Sequence, residues 1–182
     1  MVNLKAKPFN LSDEDIKWVK DTIADMTIEE KIGQLFVNMG ASREEEYLKD
    51  MLNTYHIGAV RYNPATAEQV YDQNKILQEN SKIPLLIAAN TENGGNGACI
   101  DGTYVANQVK IGATNDPKYA YELGRVSGEE AAAIGCNWSF APVVDIDMNW
   151  RNPVISTRCY SNKAEQVLEY SLEYMRGIME SG

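Results

Sequence analysis

Short aliphatic runs alternate along this chain with amphipathic stretches that open on side-chain caps, and this alternation restricts the fold more than any other feature. Parallel strands cannot be joined by a tight turn. They need a crossover long enough to hold a helix, so repeated strand–helix units imply a parallel sheet with covering helices. Ser12 is placed to cap a first helix that carries Ile16, Val19 and Ile23 on one face. Thr27 and Glu30 form a capping-box pair, each able to satisfy the other's orphan backbone donor, and a strand is expected over residues 35–39. Ser42 with Glu45 opens a helix bearing Leu48, Met51 and Leu52, with a second strand at 58–62. Thr66 with Gln69 opens the next, and the run 84–89 is apolar throughout, as expected of a buried parallel strand.

A Gly-rich connection then occupies residues 90 to about 113. Asp116-Pro117 supplies a cap and a first-turn proline for a helix ending near Gly135. A fourth strand is expected over 138–144, followed by a second long loop. Asn162 with Glu165 marks the last helix, with Val167, Leu168, Ser171, Met175 and Ile178 on one face and Ser181-Gly182 as its stop. Four such units fit either a small doubly wound sheet or part of a (β/α)8 barrel, which needs about 250 residues when complete. The 182 residues here form one domain in either case.

Charge and composition narrow the function. The net charge of −9 and the lack of any Lys/Arg cluster argue against a nucleic-acid partner. The 84–89 run is too short to span a bilayer, and the N-terminus has no apolar secretory stretch, so no membrane partner and a cytoplasmic address are expected. Three cysteines without C-x-x-C spacing and a single histidine, His56, leave no basis for a disulfide framework, a metal site or a cofactor. Cys99 and Cys136 read as small core or loop residues. His56 lies on the helix-to-strand side of the sheet, where side chains stabilise rather than react. The Glu44-Glu45-Glu46 run suits the positive end of a helix dipole.

In both architectures ligands bind at the carboxyl ends of the strands. Two loops fall there: NTENGGNG at 90–97 and the stretch 145–158. Both are rich in amides, carboxylates and arginine with aromatic residues nearby, which suits vicinal hydroxyls and the apolar faces of sugar rings. The glycine loop lacks the spacing of a P-loop or dinucleotide fingerprint. Gly94, Gly95 and Gly97 also have a purely structural explanation, as residues that permit tight or left-handed backbone.

These segments resemble glycoside hydrolase family 3. MTIEEKIGQL at 26–35 is similar to the family's opening M-T-hydrophobic-x-E-K-hydrophobic-x-Q-L. PLLIAANTENGG at 84–95 resembles P-L-hydrophobic-hydrophobic-x-x-D-x-E-G-G, and IGATNDP at 111–117 resembles hydrophobic-x-A-T-x-D-P. NWSFAPVVDID at 137–147 with RNPVISTR at 151–158 follows a stretch of the β-N-acetylhexosaminidase branch. The resemblance runs in order from Met26 to Gly182.

It implies an α/β fold that is a partial TIM (β/α)8 barrel, with residues 1–182 forming the N-terminal half of the barrel domain. It also implies retaining hydrolysis of terminal β-linked sugars. Asn90 stands where the family has a sugar-gripping aspartate, Arg158 matches its sugar-holding arginine, and Glu92 matches a pocket-supporting glutamate. Asp145 and Asn152 match positions that organise the long loop through hydrogen bonds. Departures from the family pattern are Asn90 for aspartate, Asn93 within E-G-G, and Cys159-Tyr160 where Ser-Phe is common. The family's Lys-His pair, its acid–base groups and its nucleophilic aspartate belong beyond Gly182, so no catalytic residue is assigned here. Three functions are weighed on this basis. The first is a β-N-acetylhexosaminidase-like activity of a parent enzyme, with this segment inactive alone. The second is a β-glucosidase or β-xylosidase of the same family, and the third a non-catalytic carbohydrate-binding or assembly module. The expected partners are a carbohydrate and either the missing half-barrel or a second copy of the chain.

Overall fold

The structure, a computed structural model, describes residues 2–181. Four parallel strands, β1 (Val37–Gly40), β2 (Ala59–Tyr62), β3 (Leu86–Ala89) and β4 (Trp138–Ser139), form one sheet in the order β1-β2-β3-β4. Its register pairs Met39 with Arg61, Arg61 with Ala88 and Ala88 with Trp138. A doubly wound sheet reverses its strand order at a switch point. This order has no reversal, so the fold is the barrel alternative, a partial (β/α)8 barrel.

The helices are α1 (Asp13–Asp25), α2 (Ile28–Gly33), α3 (Glu45–Tyr55), α4 (Ala67–Glu79), α5 (Gln108–Ala113), α6 (Lys118–Ala133) and α7 (Ala164–Glu180). Residues of α3, α4 and α6 cover one face of the sheet. Val60, Tyr62, Ile87 and Ala89 point into a core shared with Leu48, Val70 and Leu77. The alternate residues Met39 (48 %), Leu86 (49 %) and Trp138 (37 %) are exposed on the other face. Among the described residues no helix is long and apolar enough to cross a membrane.

Local sequence placed several helix starts correctly. Ser12 with Asp15, Thr27 with Glu30 and Thr66 with Gln69 each form a reciprocal capping box. Asp116 Oδ1 accepts the Lys118 N–H at the start of α6. Two expected caps are not formed. Ser42 Oγ accepts the Glu44 N–H, and α3 starts at Glu45 without a side-chain cap. Ser161 Oγ takes the Lys163 N–H, and α7 begins at Ala164 without Asn162 as its cap. In both cases a nearby hydroxyl closes a two-residue turn that competes with the expected cap.

Other boundaries also move. The first strand lies at Val37–Gly40 because the chain turns through hydrogen bonds from Leu35 N to Ile32 O and from Phe36 N to Gly33 O. The fourth stops at Ser139, not Val144. Ser139 Oγ accepts the Ala141 N–H, and the Gln108 amide both donates to Val143 O and accepts from Val143 N, drawing the chain off the sheet. Helix α5, capped by Asn107, lies inside what the sequence presents as a connection; six residues are too few for periodicity to show. The stop expected at Ser181-Gly182 falls partly on Gly182, outside the described residues.

The buried face of α7 also differs from expectation. Val167, Tyr170, Ser171, Tyr174 and Gly177 are buried, whereas Leu168 and Met175 are exposed. The choice of face comes from α6. A side chain at Gly177 would collide with the Tyr121 carbonyl, and one at Gly124 with the Tyr174 carbonyl, so the two backbones approach closely here. Tyr170 and Tyr174 then fill the space beside Leu123 and Ala120.

Gly177→Ala is expected to destabilise the protein by about 1–3 kcal/mol through this overpacking. That outweighs the gain of roughly 1 kcal/mol that alanine offers in a helix interior. Urea denaturation checks the sign, and a stabilised variant would contradict the close-approach account.

Candidate functional site

The carboxyl end of β3 positions the first loop. Strand alternation sends Ile87 and Ala89 toward the helices, and Thr91 continues that side and is fully buried. Thr91 Oγ1 hydrogen-bonds with Ser139 Oγ at 2.7 Å and with Tyr174 Oη at 2.9 Å. Its carbonyl accepts from the Tyr174 hydroxyl at 2.9 Å and the Ser127 hydroxyl at 3.2 Å. Burial raises the Tyr174 pKa, so it remains a neutral phenol able to donate. Thr91 therefore ties the loop to β4, α6 and α7, and Asn90 and Glu92 flank it.

Glu92 and Arg158 meet across the sequence. Arg158 Nε donates to Glu92 Oε2 at 2.8 Å and Nη2 donates to Glu92 Oε1 at 2.7 Å, a bidentate pair. The Glu92 side chain is mostly buried and that of Arg158 is less so. Hydrogen bonding and charge from Glu92, with a smaller contribution from Asp145, raise the Arg158 pKa. The pair leaves Nη1 and the second Nη2 hydrogen of Arg158 available to a ligand.

Asn152 organises the arginine's approach. Its Oδ1 accepts the Val154 N–H at 2.9 Å and the Ile155 N–H at 3.3 Å, leading into a 3-10 turn over Ser156–Arg158. Asp145 behaves differently from the sequence expectation. Among the described residues its side chain forms no hydrogen bond; it is exposed and acts on Arg158 through charge.

The three glycines have steric roles. Gly94 has φ +131, a side chain at Gly95 would meet the Glu130 carboxylate, and one at Gly97 would occupy the Asn90 carbonyl. Gly97 thus lets the loop close against Asn90. Thr91, Ser127, Ser139, Tyr174 and Gln108 escaped the sequence reading. The buried helix face would have pointed to Tyr174, had it been assigned correctly. His56 ends α3 in a left-handed conformation at φ 50. Cys99, Cys136 and Cys159 are buried free thiols whose pKa values burial raises, that of Cys99 to about 11, so none is a ready nucleophile. Among the described residues no group of three or more His, Cys, Asp or Glu converges as a metal site.

Residues 27–182 match the glycosyl hydrolase family 3 N-terminal domain. The chain belongs to glycoside hydrolase family 3. It is 37% identical, over all 182 residues, to a β-N-acetylglucosaminidase/β-glucosidase of Cellulomonas fimi, covering 32% of that protein. A periplasmic β-glucosidase of Salmonella typhimurium is 32% identical over 139 residues, which are 73% of this chain and 17% of that protein. Among solved structures, a β-glucoside phosphorylase BglX superposes with a TM-score of 0.91 at 40% identity, over 98% of this chain and 32% of that one. A family 3 β-N-acetylglucosaminidase from Paenibacillus sp. str. FPU-7 gives 0.77 at 32% identity, over 86% and 31%. The chain thus spans about a third of the length of several family 3 relatives. These relatives include both β-glucosidases and β-N-acetylglucosaminidases.

Thr91→Val keeps the shape of the side chain but removes its hydroxyl from a buried network. A loss of about 1–2 kcal/mol in unfolding free energy is expected, read by chemical denaturation. An unchanged midpoint would show that the hydroxyl does not hold the loop.

Proposed function

We propose that this segment forms one wall of the sugar pocket of an exo-acting, retaining β-glycosidase of β-N-acetylhexosaminidase type. The observation that carries the proposal is the Arg158–Glu92 pair beside Asn90, at the carboxyl end of a parallel barrel sheet. Glu92 holds the guanidinium so that its remaining N–H groups can donate to adjacent sugar hydroxyls. Asn90 offers an acceptor and two donors where an aspartate offers acceptors alone. Retention requires two carboxylates about 5–5.5 Å apart, one as nucleophile and one as acid and base. Both Glu92 oxygens are engaged by Arg158, so Glu92 is a clamp and not half of that couple. The couple belongs to the opposite wall, contributed by a full-length polypeptide in which further strands pair with the open edges of β1 and β4.

A β-glucoside-processing activity is the second reading. The similar β-glucoside phosphorylase supports it, as do the two activities in the name of the Cellulomonas fimi protein. Chromogenic β-N-acetylglucosaminide and β-glucoside, each with and without inorganic phosphate, distinguish the two in the full-length polypeptide. Preference for the N-acetylated sugar is expected; preference for the glucoside moves the assignment to the second reading. The 182-residue chain alone should show no turnover, because it carries the clamp without the couple. Robust turnover by that chain would falsify the wall proposal.

In the full-length polypeptide, Arg158→Lys is expected to lower kcat/KM about ten- to a hundredfold. A charge-assisted hydrogen bond contributes roughly 1.5–3 kcal/mol, and lysine cannot reproduce the bidentate geometry. A kinetically silent variant would remove Arg158 from the pocket.

A further inference from the structure

We propose that Arg43 is a specificity-determining residue, whose guanidinium takes an oxyanion, carboxylate or phosphate, beside the sugar at the mouth of the pocket. This deepens the glycosidase reading above and rests on it for the sugar. The placement comes from two adjacent strands. Arg61 of β2 is in register with Ala88 of β3, so Asn63 and Asn90, each two residues further on, are the first residues past the carboxyl ends of these strands. Neighbouring strands run about 4.8 Å apart, so the two backbones leave the sheet side by side. Arg43, three residues past the end of β1, donates from Nη2 to the Asn63 carbonyl. Its guanidinium therefore stands next to the chain that presents Asn90.

The side chain is held with one end inside the protein and the other outside. Nε is buried, whereas Nη1 makes no hydrogen bond and reaches solvent. Nη1 and the second hydrogen of Nη2 form an edge of two parallel donors, which fits the two oxygens of a carboxylate or phosphate. Among the described residues no carboxylate lies within ion-pair distance of Arg43, Arg61 or Arg151. Placement separates Arg43 from the other two. Arg61 lies two residues below the level of Asn63 and donates to the Met39 sulfur, and Arg151 stacks on the Trp150 ring at 4.5 Å.

The positive charge at this corner is not balanced by its surroundings. Glu92 neutralises Arg158, and Asp145 acts on that same arginine. Asn63 and Asn90 are uncharged amides. Glu44, Glu45 and Glu46 follow Arg43 in sequence, yet all three stay outside ion-pair distance of it, and Glu45 pairs with Lys49. A sugar hydroxyl bound to Arg43 gains hydrogen bonds alone. An oxyanion gains the same bonds together with Coulomb attraction, which is screened less at a half-buried guanidinium than at an exposed one. Arg43 thus favours a charged group where the neutralised Arg158 suits hydroxyls.

The test is competitive inhibition of chromogenic β-N-acetylglucosaminide turnover by the full-length polypeptide. N-acetylglucosamine is compared with its phosphate ester at the primary hydroxyl, glucose with glucuronate, and inorganic phosphate is added alone. An anionic sugar is expected to bind about ten- to a hundredfold more tightly than its neutral counterpart, or inorganic phosphate to inhibit by itself. R43Q should abolish that preference, and R43K, which keeps the charge without the paired donors, should retain part of it. Inhibition by phosphate alone assigns the site to the free anion; a preference confined to the sugars assigns it to a substituent. Indifference of the unsubstituted polypeptide to every anion, or a preference that folded R43Q keeps, overturns the proposal. If R43Q does not fold, R43K is read instead, with a loss of at least about threefold expected and an unchanged preference overturning the proposal. If the polypeptide turns over no β-glycoside, the glycosidase reading falls, and titration calorimetry with the same anions decides the role of Arg43 separately.

Discussion

Thr91 is the point at which the carboxyl end of the sheet is tied together. Its side chain and carbonyl bring Ser139 of β4, Ser127 of α6 and Tyr174 of α7 to one buried spot. Each hydroxyl there is satisfied by another hydroxyl or by the Thr91 carbonyl, so the cluster avoids the cost of unpaired polar groups in the core. The consequence reaches the site directly. With Thr91 held on the helix side, Asn90 and Glu92 flank a rigid anchor, and Glu92 can in turn hold Arg158. A flexible loop carrying the same residues would lose affinity in ordering them.

The second loop is built differently. Gln108, almost wholly buried, grips the backbone of Val143 through both ends of its amide. Asn152 shapes the turn that brings Arg158 back to Glu92. Short-range amide contacts therefore define a loop that has little regular structure of its own.

Local patterns were legible where the interaction is local. The capping boxes at Ser12, Thr27 and Thr66 are closed by residues three positions away, and all three formed. The same spacing misled at Ser42, whose own hydroxyl takes the Glu44 N–H two positions on, and at Asn162, where the Ser161 hydroxyl takes the Lys163 N–H instead. Helix α7 carries two apolar stripes, and periodicity cannot say which one packs. The glycines of α6 and α7 decide it, through an approach that exists only once the two helices meet. The fourth strand looked longer because 138–144 is apolar apart from Ser139, but Gln108 captures its continuation from outside the sheet.

Strand–helix alternation, four parallel units and the family motifs were determined by the sequence itself, because each depends on neighbours along the chain. The candidate site residues Asn90, Glu92, Arg158, Asp145 and Asn152 were legible only through those motifs. That Glu92 clamps Arg158, that Thr91 is the anchor and that Asp145 acts through charge were decided by tertiary structure. The physical reason is distance along the chain. Thr91 and Tyr174 lie 83 positions apart, and Glu92 and Arg158 lie 66 apart. No local propensity can encode a hydrogen bond over such a separation. It forms because barrel topology and the packing of α6 against α7 bring the donors and acceptors together.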